Sequence, residues 1–401
     1  MVSKRVVIVG AGLAGLRTSE ELRRAGFDGD IVLIVDERHL PYDRPPLTKQ
    51  VIHGERDEST LKTRDFFDDK RIELRVGTPV VAVDHVGKSI RLADDTNLAY
   101  DQLIIATGLR PRWLPTLPRL PGVHVLRSFD DCLTLRSEVA PGKRALIVGG
   151  GFIGCELAAS LRSKGLDVVV VEPQSTPLES VLGDGVGRLI ARLHRAEGVD
   201  LRCGTGVRVL IGDERVAGVL LDNDAKVDVD IVVIAVGSQP ATEWLYGSGI
   251  DLAARADGGG VVADSVGRTN VADVWAVGDV AAWHDGSGSH RRVEHWSNVG
   301  DQARIVAKAL VHNETSPTET VPYFWSDQYD LEIQALGTPA PDDTVTIVED
   351  DGRAFLAYYS RDGILTAVVG AGMPSRVMQS RAKVAAGVGI GEALDVTGAA
   401  R

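Results

Sequence analysis

Three features of this 401-residue sequence predict an α/β chain with two doubly wound, Rossmann-like units and a small α+β segment at the end. A glycine-rich turn between an apolar strand and a helix occurs twice. Each copy is followed by a further apolar strand that ends in another glycine turn. From about residue 318 onward, short strand-like runs ("TVTIVED", "AFLAYYS", "LTAVVGA") alternate with turns before helical character returns.

The first copy is "KRVVIVGAGLAGLRTSEELRRAG". Its unbroken apolar run reads as a strand buried on both faces. It turns through Gly10, Gly12 and Gly15, then shows helical spacing at Leu16, Leu22 and Ala25. The next strand, "DIVLIVDE", runs to Asp36 and Glu37. The second copy, "KRALIVGGGFIGCELAASLRSKG", turns through Gly149, Gly151 and Gly154, and its next strand, "DVVVVE", ends on Glu172.

In such a turn the first glycine permits a tight bend and the second lets a pyrophosphate approach the backbone. The third brings helix and strand close together. Free N–H groups at the helix N-terminus, with its dipole, bind the diphosphate, and the later carboxylate accepts from a ribose hydroxyl. Two copies in this context imply two bound dinucleotides. The runs 100–112 ("YDQLIIATGLRPR") and 230–240 ("DIVVIAVGSQP") then read as the closing strands of the two units. "VWAVGDVAAW" (274–283) reads as a further strand ending at Gly278-Asp279, where Asp279 is placed to accept from a polyol. Taken alone, Gly-Asp reads better as a strand-end turn.

Composition narrows the function. The chain is 44% hydrophobic and 25% charged, as an ordinary globular protein is, and is long enough for two or three domains. A net charge of −12 disfavours nucleic acid and anionic lipid as partners. No apolar run approaches the roughly 20 residues a bilayer requires, and nothing resembles a signal peptide. The three cysteines, Cys132, Cys155 and Cys203, have neither disulfide nor metal-ligand spacing, so a reducing cytoplasm is expected and a metal site is not.

Between the two glycine turns lies "PYDRPPLTK" (41–49), a stiff turn in which two adjacent prolines cannot continue a helix. In order, the chain carries GxGxxG, E-x-x-x-P-Y-x-R-P-P-L-x-K, A-T-G, GGGxIGxE, V-G-x-x-P and V-G-D. "VEHWSNVGDQARIVAKAL" and "VPYFWSDQYDLEIQALG" follow. This series resembles the flavin-dependent NADH:ferredoxin reductases, the two-dinucleotide flavoproteins of the putidaredoxin reductase and dioxygenase reductase type.

That resemblance implies a glutathione-reductase-like architecture with the second dinucleotide domain inserted in the first. The FAD-binding domain would be 1–109 with 241–317, the NAD-binding domain 110–240, and the C-terminal interface domain 318–401, whose last residues, "DVTGAAR", are expected to be loose. It implies FAD at Gly10, Gly12, Ala14, Gly15, Glu37, Arg44, Pro45, Lys49, Val80, Ala106, Thr107, Gly108, Arg127, Gly278, Asp279, Val293 and Trp296. It implies NADH at Gly149, Gly151, Phe152, Ile153, Gly154, Glu156, Glu172, Val236, Gly237 and Glu294. Lys49 and Glu156 are the expected catalytic pair.

Glu172 favours NADH over NADPH, because a carboxylate there accepts from a 2′-hydroxyl and repels a 2′-phosphate. Residues 173–187 contain no Arg or Lys. The arginine that relatives often carry beyond the acidic residue is absent, Thr176 and Ser180 standing in that region. Arg188 and Arg192 are alternative anchors from the following helix.

"PYDRPPLTK" has no cysteine, unlike the corresponding region of disulfide reductases and of NADH oxidases or peroxidases. Cys155 is expected to be a packing residue. Electrons are therefore expected to leave the flavin one at a time for an iron–sulfur protein, a ferredoxin or alternatively a rubredoxin, that serves a monooxygenase or dioxygenase. An NADH oxidase or peroxidase, and a flavoprotein whose oligomeric state answers to NADH, are the competing readings. Docking cations are expected among Arg304, Lys308, Arg376, Arg381 and Lys383, on a monomer or a homodimer.

Overall fold

A computed structural model describes residues 4–284, 288–294, 296–315 and 321–395. Of the residues 395–401 expected to be loose, Asp395 ends the helix Ile390–Asp395 and 396–401 lie outside the described ones. The chain divides into two compact units. One comprises residues 1–43, 58–110 and 238–320; the other comprises 44–57, 111–237 and 321–401.

The first unit is built on five parallel strands. Their spatial order is Val274–Ala276, Gln102–Ile105, Arg5–Val9, Asp30–Ile34 and Ile72–Arg75. Val6, Val7, Ile8 and Val9 are all buried, which is why this strand reads as a continuous apolar run rather than an alternating one. The helix Leu13–Arg24 buries Leu16 and Leu22 against the sheet, and the helix Trp296–His312 adds Val306 and Ala307 to the same core. A small antiparallel meander, Val80–Asp84, Ser89–Leu92 and Asn97–Ala99, closes the other face with Val83, Ile90 and Leu98. The run 274–283 splits at its glycine: Val274–Ala276 joins the large sheet, and Ala281–His284 pairs instead with Val261–Ala263.

The second unit repeats the parallel design. Its strand order is Asp200–Cys203, Asp167–Glu172, Arg144–Val148, Ile231–Ile234 and Val123–His124. In both units the strand entering the glycine turn is central, with the following strand on one side and the closing strand on the other. Such a position, at the carboxyl end of a central parallel strand, is where open α/β sheets bind ligands.

A separate five-stranded antiparallel sheet completes the second unit, in the order Tyr323–Gln328, Leu331–Gly337, Ile364–Ala371, Phe355–Arg361 and Thr344–Asp350. Tyr323–Gln328 alternates partly exposed and buried residues, the pattern of a strand with one face on the core. Its Phe324 meets Phe152 of the helix Phe152–Ser163 edge to face, with ring centroids 5.1 Å apart. That contact and the buried Tyr359, whose hydroxyl donates to the Leu182 carbonyl, bind the antiparallel sheet to the parallel one.

Candidate functional site

Each glycine turn meets the demands of a pyrophosphate site. Gly10 has φ +106°, and a Cβ there would lie 2.2 Å from the Ala106 carbonyl oxygen. At Gly15 a Cβ would lie 1.9 Å from the Gly10 carbonyl oxygen. At Gly12 it would meet no protein atom within 4 Å. The outer glycines are thus required by the protein itself, and the middle one faces open space. The second turn repeats this: Gly149 (φ +107°) against Ala235, Gly154 against Gly149, and Gly151 with nothing within 4 Å.

Gly12 and Gly151 are the N-caps of their helices. Neither supplies a side-chain cap, and neither first turn contains an acidic residue. The exposed N–H groups and the positive end of each helix dipole are left for an anion. Two dinucleotide phosphates fit these cradles.

Around the first turn, Gly278 explains Ala14. A Cβ on Gly278 (φ +76°) would lie 2.6 Å from the Ala14 methyl, so both positions must be small. Two residues that sequence reasoning missed hold this loop. Buried Gln302 accepts the Gly278 N–H at 2.8 Å. Arg292 donates to the carbonyls of Asp279 (3.0 Å) and Gly258 (2.9 Å) and ion-pairs with Glu294 at 2.7 Å. Gln302 sits in an ordinary amphipathic pattern, so nothing local marked it.

Elsewhere in this unit, Glu37 accepts from the Tyr42 hydroxyl at 2.5 Å. Thr107 donates to the Ala241 carbonyl, and Gly108 has φ +65°. Val80 opens its strand beside Leu92, and Val293 is partly buried. Trp296 is neither a core aromatic nor enclosed. It is 39% exposed, and its Nε1 donates to Asp43.

In the second unit, Pro45 and Pro46 open a single 3₁₀ turn, Pro45–Thr48, that ends at Lys49. Arg44 donates to the Arg127 carbonyl at 2.6 Å, bringing two expected cofactor arginines together. Lys49 Nζ lies 3.2 Å from Glu156 Oε1 and 2.8 Å from Asp327 Oδ2. Glu156 is buried, in the second turn of Phe152–Ser163. Its Oε2 accepts from the Thr48 hydroxyl at 2.6 Å; its Oε1 accepts from the Ser326 hydroxyl at 2.9 Å and the Asp327 N–H at 3.2 Å. Residues from two distant stretches, 48–49 and 326–327, thus compensate one buried carboxylate. Removing one partner of a buried pair costs about 3–5 kcal/mol, because the other charge is left uncompensated.

Of the other second-turn residues, Ile153 is 39% exposed and Phe152 packs on Phe324. Gly237 has φ +86° and is exposed beside Val236. The Glu172 carboxylate accepts the N–H groups of Gly150 (2.6 Å) and Gln174 (2.8 Å), which fixes its orientation at the strand end. The alternative anchors are engaged elsewhere: Arg192 makes a paired contact with Asp350, and Arg188 pairs with Asp184.

No thiol is poised for chemistry. Cys155 is fully buried with Sγ 3.5 Å from the Gly150 carbonyl, and burial first, then Glu156 and Glu172, pushes its pKa far up. Cys132 donates to the Leu47 carbonyl and is pushed up to about 11 by burial. Burial also raises the partly exposed Cys203. The helix N-terminus does not activate Cys155, since desolvation of the thiolate dominates.

The expected docking cations are mostly compensated. Arg304 pairs with Asp301, Lys308 with Glu314 and Arg376 with Glu349; Lys383 donates to the Ala393 carbonyl, and Arg381 is exposed.

The family model described as pyridine nucleotide-disulphide oxidoreductase matches residues 4–303, and the reductase C-terminal model matches 323–396. The chain belongs to the pyridine nucleotide-disulphide oxidoreductase family. It is an oxidoreductase that carries FAD and uses NAD(H), of the ferredoxin reductase group. It is 38% identical over 377 residues to a probable ferredoxin reductase, CtmF, of Castellaniella defragrans, covering 91% of this chain and 90% of that one. It is 37% identical over 339 residues to the ferredoxin–NAD(+) reductase subunit of a benzene 1,2-dioxygenase system of Pseudomonas putida, covering 84% and 81%. Putidaredoxin reductase, in a covalent complex with putidaredoxin, superposes with a TM-score of 0.91 at 29% identity, covering 97% of this chain and 94% of that one. No helix among the described residues is long and apolar enough to cross a membrane.

Proposed function

We propose that the Gly10–Gly15 turn holds FAD, that the Gly149–Gly154 turn holds NADH in preference to NADPH, and that the chain reduces a ferredoxin serving an oxygenase in the cytoplasm. The observation that carries this reading is the Lys49–Glu156 pair. Two charges 107 positions apart in sequence meet at the start of the nucleotide-binding helix, both largely buried. Held at the Gly10–Gly15 turn, FAD would supply the capacity to accept two electrons from NADH and release them one at a time.

The chain's own part is positioning and charge. Gly12 and Gly151 admit the diphosphates, Glu172 accepts from the ribose of NADH, and Lys49 supplies positive charge beside Glu156 at the hydride-transfer step. With Cys132, Cys155 and Cys203 held as thiols, and none in "PYDRPPLTK", a thiol relay is disfavoured against direct reduction of an outside protein. We assign 1–109 with 241–317 to FAD, 110–240 to NAD and 318–401 to an interface domain.

The test is an anaerobic NADH titration followed by cytochrome c reduction with and without added ferredoxin. Bleaching of the flavin and ferredoxin-dependent cytochrome c reduction are expected. Turnover unchanged by ferredoxin, or hydrogen peroxide consumption driven by NADH, would refute it.

A further inference from the structure

Behind Glu156 a line of buried polar side chains runs away from Lys49. Ser326 and Gln328, on the core face of the strand Tyr323–Gln328, are fully buried, and His194, at the end of the helix Glu179–Ala196, is 1% exposed. The Tyr329 hydroxyl lies 2.8 Å from His194 Nδ1, and His194 Nε2 lies 3.0 Å from Gln328 Oε1. Gln328 Nε2 donates to Ser326 Oγ at 3.2 Å, and Ser326 donates to Glu156 Oε1 at 2.9 Å. Such lines are costly to bury unless every member is satisfied.

The line has a direction, and the Gln328 amide sets it, with its oxygen toward His194 and its nitrogen toward Ser326. The Gln328 amide oxygen can only accept, so His194 carries its proton on Nε2 and its Nδ1 accepts from the Tyr329 hydroxyl. That proton goes to Gln328 Oε1, which turns the amide nitrogen toward Ser326. Ser326 Oγ then receives a hydrogen bond, and its own proton is free for Glu156. Burial pushes His194 down to about 4 and pushes Tyr329 up, so both stay neutral through the physiological range.

Were the other tautomer present, His194 Nε2 would accept from the Gln328 amide. The amide oxygen would then face Ser326 and take its proton, and Glu156 would lose a donor. Tyr329 opens the two-residue hairpin turn between Tyr323–Gln328 and Leu331–Gly337, with φ +59° as such turns require.

We propose that Tyr329, His194 and Gln328 are positioning residues that orient the Ser326 hydroxyl toward Glu156, and so hold the Glu156 carboxylate against Lys49 for hydride transfer. Asp327, on the next residue of the same strand, fixes the other side of the Lys49 ammonium. The inference rests on the reading of Lys49 and Glu156 as the charged pair at that step.

The test uses the FAD-loaded enzyme and stopped-flow reduction by NADH without oxygen, with Glu156→Gln as reference. Ser326→Ala should lower the limiting rate constant about tenfold while leaving the NADH dissociation constant within twofold. Tyr329→Phe, which keeps the ring and backbone, should lower it about threefold. The double variant should be no slower than Ser326→Ala, because the tyrosine acts only through the serine.

If Glu156→Gln reduces at the wild-type rate, the reading of the pair fails and this inference falls with it. If Glu156→Gln is slow but Ser326→Ala is not, this inference alone is overturned. A Tyr329→Phe effect of equal size in both backgrounds also overturns it. Should Ser326→Ala fail to fold, a wild-type rate in Tyr329→Phe overturns it and a threefold loss supports it.

Discussion

Alanine placed at either of two glycines two residues apart should have opposite consequences. Gly151 has φ −76°, which alanine adopts freely, and its Cβ would meet no protein atom within 4 Å. By reducing the freedom of the unfolded chain, Gly151→Ala should raise stability by about 0.4–1 kcal/mol. The methyl nevertheless occupies the space where a pyrophosphate approaches the helix N-terminus. Losing one charge-assisted hydrogen bond there costs about 1.5–3 kcal/mol, which is about a tenfold to hundredfold weaker complex.

Gly149 differs, with φ +107° and a Cβ that would lie 2.5 Å from the Ala235 carbonyl oxygen. Alanine there pays a left-handed backbone cost of roughly 1–2 kcal/mol before any clash is counted. Urea melts and calorimetric titration with NAD(+) separate the cases. Gly151→Ala should be more stable than wild type and bind poorly, and Gly149→Ala should be less stable. A Gly151→Ala protein with a dissociation constant within twofold of wild type would refute the assignment of the second turn to a dinucleotide.

Buried His194 should make stability fall in acid. Its folded pKa, about 4, is below the ordinary 6.5, so between these values the unfolded chain binds a proton that the folded one does not. Stability is fully present above about pH 6.5 and should drop by roughly 3 kcal/mol as pH falls to 4; urea midpoints that do not fall across that window would contradict it. Steady-state kcat/KM should favour NADH over NADPH by at least about tenfold, given Glu172 and a loop without cations, and equal values would reverse that assignment. Arg381→Glu should raise the ferredoxin KM severalfold at low salt, with a smaller effect at high salt. Arg304→Glu should do less, since Asp301 already offsets that charge; the opposite ranking would move the docking surface.

By itself the sequence determined the two parallel units, because a strand buried on both faces must be apolar throughout and a glycine turn at its end has few other uses. It placed Gly10, Gly12 and Gly15 and their counterparts in the second turn, since backbone geometry is local and leaves a local signature. It also marked Lys49 and Glu156, through the stretches that carry them. Only the tertiary structure decided what surrounds that pair. Ser326, Gln328, His194 and Tyr329 stand far along the chain, and a serine, an amide and a histidine in unremarkable patterns carry no sign of one another. Arg192 and Arg376 looked free until Asp350 and Glu349 were brought beside them. The donors of a buried carboxylate and the partners of a surface cation depend on which chain segments meet, and those meetings are set by packing rather than by neighbouring residues.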